Sequence, residues 1–248
     1  MALVTGGARR IGKELALGLA RKGFDVAVHF RDSRRDAELT VARIRALGRH
    51  SLALRADLCR VSEIEGMFAE LTEHFTGLHL LVNNASSFFA TKFGETREVD
   101  FDELVGSNFK APFFCAQFAA ALMQSSLKHE GPGGPFDRQI VNILDSSAFR
   151  PWATHLPYCA SKAALGALTH GLARALAPAI RVNAIAPGPM LFPEDMGERA
   201  RRQALEQTLL LREGSPEDVV SALLFLVEKG RYCTGTVLHV DGGQSWSS

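Results

Sequence analysis

Tyr158 and Lys162 stand four residues apart in Tyr158-Cys159-Ala160-Ser161-Lys162, so on a helix they share one face. A tyrosine with a pKa near ~10 is a poor proton carrier at neutral pH. An ammonium one turn away favours the phenolate, pulls that pKa down and also reaches for hydroxyls of a bound sugar. Alone, the pair equally fits an exposed tyrosine and lysine. A carboxylate, Asp145, lies thirteen residues before Tyr158, at the end of the apolar run Ile140–Leu144.

A second constellation opens the chain. Thr5-Gly6-Gly7-Ala8-Arg9-Arg10-Ile11-Gly12 falls between an apolar run and a helical pattern. Gly6 permits a tight turn and Gly12 close packing of helix on strand. The helix N-terminus then offers free N–H groups and a positive dipole end to a pyrophosphate. The next apolar run ends Phe30-Arg31-Asp32-Ser33. Arg31 and Ser33 suit a ribose 2′-phosphate, with Arg34 or Arg35 assisting, because the guanidinium fork matches phosphate. Asp32 would serve a 2′-hydroxyl in a shifted register. NADPH is the expected cofactor. Asp57, in Arg55-Ala56-Asp57-Leu58, would accept from an adenine amine or cap the following loop.

These residues must be positioned by regular elements, and the pattern supplies them. Strands are expected at 2–5, 25–30, 51–55, 79–82, 139–144, 180–185 and 236–240. Helices are expected at 10–22, 34–47, 61–75, 101–108, 111–127 and 157–177. In the second helix Leu39, Ile44 and Leu47 form the expected apolar stripe. The β-α alternation implies an α/β fold, a doubly wound parallel sheet covered on both faces. With 248 residues, no internal repeat and no linker, residues 1–248 read as one domain. Residues 128–138, rich in Pro and Gly, read as a surface insertion. Residues 190–211, with Met190-Leu191-Phe192-Pro193 at their start, read as a substrate lid at the carboxyl end of the sheet.

Composition narrows the function classes. Apolar residues make 46% and charged residues 22%, which excludes disorder. Twenty-eight basic against 27 acidic residues leave a net charge of +1, so no nucleic-acid footprint is expected. No apolar run reaches the ~18 residues of a membrane span. The chain runs from Met1 directly into the first strand, so no secretory signal is expected. The four cysteines are scattered without a CxxC pair, which fits small buried hydrophobes in a reducing cytoplasm rather than a metal or disulfide framework.

Taken together, the glycine loop, Asn83-Asn84-Ala85, Asn108, Tyr158-x-x-x-Lys162, Asn183-x-x-x-Pro187-Gly188 and Asp241-Gly242-Gly243 resemble the short-chain dehydrogenase/reductase family over essentially the whole chain. That resemblance implies a single-domain Rossmann fold with a seven-stranded sheet, assembled as a dimer or tetramer. It implies a tetrad of Asn, Ser, Tyr and Lys, three of which are matched by Asn108, Tyr158 and Lys162. The serine position holds Asp145 instead, the middle glycine of the loop is Arg10, and NNAG has become Asn83-Asn84-Ala85-Ser86. These departures, with Phe88 and Gly106-Ser107-Asn108-x-x-Ala111-Pro112, resemble the pteridine reductases and dihydromonapterin or dihydrofolate reductases. The resemblance implies cofactor contacts from Gly6, Arg10, Ile11, Gly12, Phe30, Arg31, Ser33, Asp57, Leu58, Asn84, Ala85, Lys162, Pro187 and Gly188. It implies that Phe88 stacks on a pterin, with Ser86, Asp145 and Tyr158 around it. Phe89 is expected to serve the core.

The substitution at Asp145 has a chemical reason. Reduction of a C=N bond needs a hydride on carbon and a proton on nitrogen. A carboxyl group suits ring nitrogens and amino groups better than a serine hydroxyl, and partial burial would raise its pKa toward usefulness. Asp145 would alternatively hydrogen-bond a backbone N–H. The expected activity is NADPH-dependent reduction of a dihydropterin or dihydrofolate, with Tyr158, assisted by Asp145 and Lys162, protonating nitrogen and Asn108 supporting Lys162 through the helix bend or a water. The alternatives are a carbonyl or 3-oxoacyl reductase of the same family, and a dinucleotide-sensing protein without turnover.

Overall fold

The computed structural model describes residues 1–130, 138–192 and 196–247. Seven strands form one parallel sheet: β1 (Ala2–Val4), β2 (Val26–Phe30), β3 (Ser51–Arg55), β4 (Leu80–Asn83), β5 (Gln139–Ile143), β6 (Arg181–Pro187) and β7 (Val237–Val240), in the order β3-β2-β1-β4-β5-β6-β7. Val4 pairs with Val28 on one side and Val82 on the other. The chain order reverses between β1 and β4, which opens a crevice beyond the carboxyl ends of those strands.

The strands are near-continuous apolar runs because both faces are covered. In β1 successive side chains go to opposite layers, Ala2 and Val4 to one and Leu3 to the other. On the first face lie α1 (Arg10–Arg21), α2 (Arg34–Ala46) and α8 (Pro216–Leu224), through Leu15, Leu19, Ile44, Val219 and Leu223. On the second lie α3 (Val61–His74) and α5 (Ala111–Glu130), through Ile64, Met67, Cys115 and Ala119. The long α6 (Leu156–Leu176) packs along β6, with Leu165 against Leu144, Ala184 and Ala186. Each fully buried Leu or Ile contributes roughly 1.5–3 kcal/mol of apolar transfer.

Several expectations are corrected. The buried stripe of α2 is Ala37, Thr40, Val41 and Ile44, whereas Leu39 and Leu47 are exposed. Spacings of three and four, not five and eight from Leu39, keep residues over the sheet. The helices expected at 101–108 and 111–127 are one continuous body. α4 (Glu98–Val105) passes through a wide π turn at Gly106–Lys110 into α5. The helix α8 was not anticipated; it starts at a capping box between Ser215 and Asp218. Cys115 and Cys159 are buried, but Cys59 and Cys233 are only half-buried.

Within the expected lid at 190–211 lies one short helix, α7 (Glu198–Glu206). Pro193 and residues 131–137 of the expected insertion lie outside the described residues. Among the described residues no helix is long and apolar enough to cross a membrane, and no cluster of His, Cys, Asp and Glu could hold a metal.

Candidate active site

The carboxyl end of β5 and the first turns of α6 meet where the order of the strands has just reversed. Asp145, two residues past β5, is extended, and its Oδ1 accepts from the Ser147 N–H at 2.8 Å, capping the short turn Ser146–Ala148. This fixes the carboxyl group and leaves Oδ2 for the Tyr158 hydroxyl, which donates to it at 2.9 Å. The two expected roles for Asp145, at Tyr158 and on a backbone N–H, are therefore filled by its two oxygens. Ser146 donates instead to Gln244 Oε1 at 2.6 Å, away from Tyr158.

Tyr158 is buried, and its phenol lies well above the ordinary value. Burial is the largest cause, the Asp145 carboxylate the next, and the Ser86 hydroxyl works the other way. The sequence expectation of a lowered tyrosine pKa fails here because desolvation and an adjacent anion outweigh a more distant cation. Lys162 Nζ lies 5.8 Å from the centre of the Tyr158 ring and donates to the Ile143 carbonyl at 2.9 Å. Burial depresses its pKa to about 8, with Asp145 opposing.

Asn108 sits fully buried in the π turn. Its Oδ1 accepts from Ser86 Oγ at 3.0 Å, the Ser87 N–H at 3.0 Å and Ser107 Oγ at 2.9 Å. Its Nδ2 donates to the Ser87 carbonyl at 3.0 Å and Ser161 Oγ at 3.2 Å. Its side chain thus fixes the segment after β4 and reaches α6 at Ser161, one residue before Lys162. Phe88, at the end of that segment, is 56% exposed. Its ring stands edge-to-face to Tyr158 (centroids 4.8 Å) and parallel to the His155 ring (5.0 Å, 10°). Phe89 turns inward against the cluster of Leu104, Tyr158 and Cys159. An exposed aromatic face therefore borders the Tyr158–Asp145 pair.

The glycine loop lies at the other end of the crevice. Gly6 is left-handed, φ +62°, and a Cβ on Gly12 would come within 2.2 Å of the Gly6 carbonyl oxygen and 2.5 Å of Asn84 Nδ2. No side chain caps the N-terminus of α1 and its first turn holds no acidic residue, so its N–H groups and dipole are open to an anion. Asn84 Nδ2 donates to the Thr5 and Gly6 carbonyls at 2.9 and 3.2 Å, and the Asn84 and Ala85 N–H groups donate to Thr5 Oγ1. Ile11 is half-buried beside this loop, and Pro187 ends β6 with Gly188 just past it, where a Cβ would meet the Asp241 backbone at 2.6 Å. Arg10, at φ +52°, projects from the loop and donates to the Leu191 carbonyl at 2.6 Å, tying loop to lid.

At the end of β2, Phe30 is buried under the Arg34 guanidinium, 5.7 Å from its ring centre, and Ser33 stands just before α2, at its N-cap. Arg31 donates from Nε to Asp32 at 2.9 Å and from Nη1 to Glu103 at 2.7 Å. Asp57 Oδ1 accepts from the Cys59 N–H at 3.1 Å, the capping role, and Leu58 is buried beside it.

Four residues around this site, His29, Glu103, Ser161 and His155, escaped the sequence reading. His29 is buried; its Nδ1 accepts the Gly6 N–H at 3.0 Å and its Nε2 stands 3.0 Å from the Ala56 carbonyl. The Gly6 N–H can only donate, so the ring proton sits on Nε2 and the imidazole is neutral. Burial pushes its pKa down to about 4. A lone polar residue in the apolar run Val26–Phe30 was the available signal. Glu103, Ser161 and His155 carried none.

Comparison with known proteins gives the following. A family model described as enoyl-(acyl carrier protein) reductase matches residues 6–245. The chain is 33% identical over 246 residues to the 3-oxoacyl-[acyl-carrier-protein] reductase FabG of Staphylococcus aureus (strain Mu50 / ATCC 700699), covering 98% of this chain and 96% of that protein. It is 32% identical over 281 residues to pteridine reductase 1 of Leishmania tarentolae, covering 99% and 96%. Among solved structures, the FolM alternative dihydrofolate reductase 1 of Brucella canis, complexed with NADP, superposes with a TM-score of 0.88 at 32% identity, covering 100% of this chain and 94% of that one.

Proposed function

The chain belongs to the short-chain dehydrogenase/reductase family, and from that premise we propose that it is an NADPH-dependent pterin reductase, acting on a dihydropterin or dihydrofolate. The observation that carries this reading is the Asp145 carboxylate on the Tyr158 hydroxyl beside the exposed Phe88 face. A flat, nitrogen-rich ring matches an aromatic platform with a carboxylate at its edge. The relatives with pteridine and dihydrofolate reductase names support it.

The glycine loop fits a dinucleotide: Gly6 and Gly12 pack too closely on Ala85, Asn84 and one another to carry a side chain, and the N-terminus of α1 that follows the loop is uncapped. Gly6, Arg10, Ile11, Gly12, Asn84, Ala85, Pro187 and Gly188 would hold the phosphates and nicotinamide end. Phe30, Arg31, Ser33, Asp57 and Leu58 would hold the adenosine end. NADPH, when bound, supplies a hydride to a ring carbon of the substrate.

The chain's own residues supply the rest. Tyr158, kept as the neutral phenol, gives its proton to the adjacent ring nitrogen, so the C=N bond becomes a C–N single bond with one new hydrogen on each atom. Lys162 offsets the negative charge left on the Tyr158 oxygen. Asp145, half-buried at the mouth, holds the phenol and passes a proton back from solvent. Ser86 and Phe88, fixed through Asn108, seat the substrate. Arg10, tied to Leu191, and Phe192 would cover the pocket and exclude water. Two or four copies would assemble through the outer faces of α5 and α6.

A second reading, 3-oxoacyl reduction, is favoured by the 33% identity to FabG. The deciding experiment is a panel of dihydrobiopterin, dihydromonapterin, dihydrofolate and a β-ketoester, each with NADPH and with NADH. Turnover of a dihydropterin or dihydrofolate with NADPH is expected. Turnover of the β-ketoester alone would replace this reading with the second.

A further inference from the structure

Glu103, on the last full turn of α4, holds two ends of the crevice at once. Its Oε1 accepts from Arg31 Nη1 at 2.7 Å and from Ser87 Oγ at 2.5 Å. Arg31 is the first residue past β2; Ser87 lies between Ser86 and Phe88 on the segment that faces the substrate.

The guanidinium has two edges that can grip a phosphate with parallel N–H groups, Nε with Nη2 and Nη1 with Nη2. Asp32 takes the single Nε hydrogen at 2.9 Å, which occupies the first edge, and Glu103 takes one of the two Nη1 hydrogens at 2.7 Å, which sets a second carboxylate beside the other edge. A phosphate that grips Arg31 bidentately meets one of the two carboxylates at either edge, as a ligand to be displaced or as a like charge at its side. Asp32 is 74% exposed and has water to turn to. Glu103 is 32% exposed and is also held by Ser87. Burial works against its charge, but the Ser87 hydroxyl and Arg31 outweigh it and hold the carboxyl below the ordinary range. Glu103 is therefore the competitor that resists.

Resting on the reading of the crevice as a nicotinamide-nucleotide site, we propose that Glu103 is a specificity-determining positioning residue. By competing with the cofactor's 2′-phosphate for Arg31, it weakens NADPH and narrows the preference over NADH. A cofactor with a 2′-hydroxyl makes no claim on the guanidinium and leaves the Glu103 pair intact.

The test is fluorescence titration of NADPH and NADH into the wild-type chain, Glu103→Gln, Arg31→Ala and the double variant. Glu103→Gln should tighten NADPH about threefold, the scale of a partly exposed ion pair, and leave NADH unchanged. In the Arg31→Ala background the same change should do nothing, an outcome that a general loosening of α4 would not give. Ser87→Ala removes the second holder of Glu103 without altering charge, and should shift NADPH in the same direction; it serves if Glu103→Gln does not fold. Unchanged or weaker NADPH binding, an equal gain for both cofactors, or a gain that survives Arg31→Ala overturns the proposal. If the wild-type chain binds neither nucleotide, the cofactor reading itself fails and this inference with it.

Discussion

The Tyr158 hydroxyl donates to Asp145 Oδ2 at 2.9 Å, while Lys162, one turn along the same helix, spends its own hydrogen bond on the Ile143 carbonyl. The phenol therefore answers to an anion before it answers to a cation. That order sets the charge states on which turnover depends, and with them most of the testable behaviour.

Replacing Asp145 with Ala removes the partner of Tyr158 and the cap on the turn Ser146–Ala148, but nothing in the glycine cradle. Turnover should fall by at least about 100-fold, the size of a lost proton-transfer partner. NADPH affinity by titration should stay within about twofold, roughly 0.4 kcal/mol. Full activity in this variant would remove Asp145 from the mechanism.

Activity and stability should move in opposite directions above pH 8. Lys162 titrates at about 8 in the folded chain and 10.5 in its ordinary state. The pH–rate profile should therefore decline as pH rises through about 8 and the charge that offsets the Tyr158 oxygen is lost. Between about 8 and 10.5 the unfolded chain binds more protons than the folded one, so this group's contribution to stability rises with pH. Urea unfolding of the wild-type chain and Lys162→Met at pH 8 and 10 should show the gain in the first and not in the second.

His29 gives the opposite window. Its pKa is about 4 folded and 6.5 in its ordinary state, so its contribution is present above 6.5 and lost as pH falls toward 4. Fully developed, the loss is on the order of 3 kcal/mol. His29→Asn should be less stable at pH 7, yet should lose less between pH 6.5 and 4 when both are unfolded in urea. Identical acid sensitivity would mean the imidazole does not stay neutral in the fold.

Phe88→Ala tests the platform. Because the ring is 56% exposed, the melting temperature should change little. The KM for a dihydropterin should rise about tenfold, the scale of a lost aromatic stack, while a β-ketoester should be indifferent. An equal rise for both substrates would make Phe88 a general wall of the pocket rather than a ring-specific contact.

The strands were legible because a doubly covered parallel sheet demands short apolar runs, and those runs stand out between helical patterns. Gly6 and Gly12 were legible because their lack of a side chain is the function. Less was readable where a residue acts through geometry that spacing does not encode. Leu39, Ile44 and Leu47 look like a stripe by type, but only Ile44 faces the sheet. Tyr158 and Lys162 announce themselves as a pair, yet the ranking of Asp145 over Lys162 at the hydroxyl comes from burial, which no motif carries. Glu103 looks like any surface glutamate; its reach to Arg31, seventy-two residues earlier, exists only in the folded chain.

The wide turn at Gly106–Lys110 has a consequence for how this chain tolerates length changes. It accommodates one residue more than an ordinary helical turn, and Asn108 sits within that surplus. Deleting a single residue there would let α4 and α5 run together as a regular helix, with little disturbance to its ends. The flanking turns would keep their mutual orientation, because the π turn already absorbs the surplus residue, and only the residues inside it would be re-aimed. Asn108 would then face away from the Ser86–Ser87 peptide, and the molecule would keep its architecture while its pocket lost its floor.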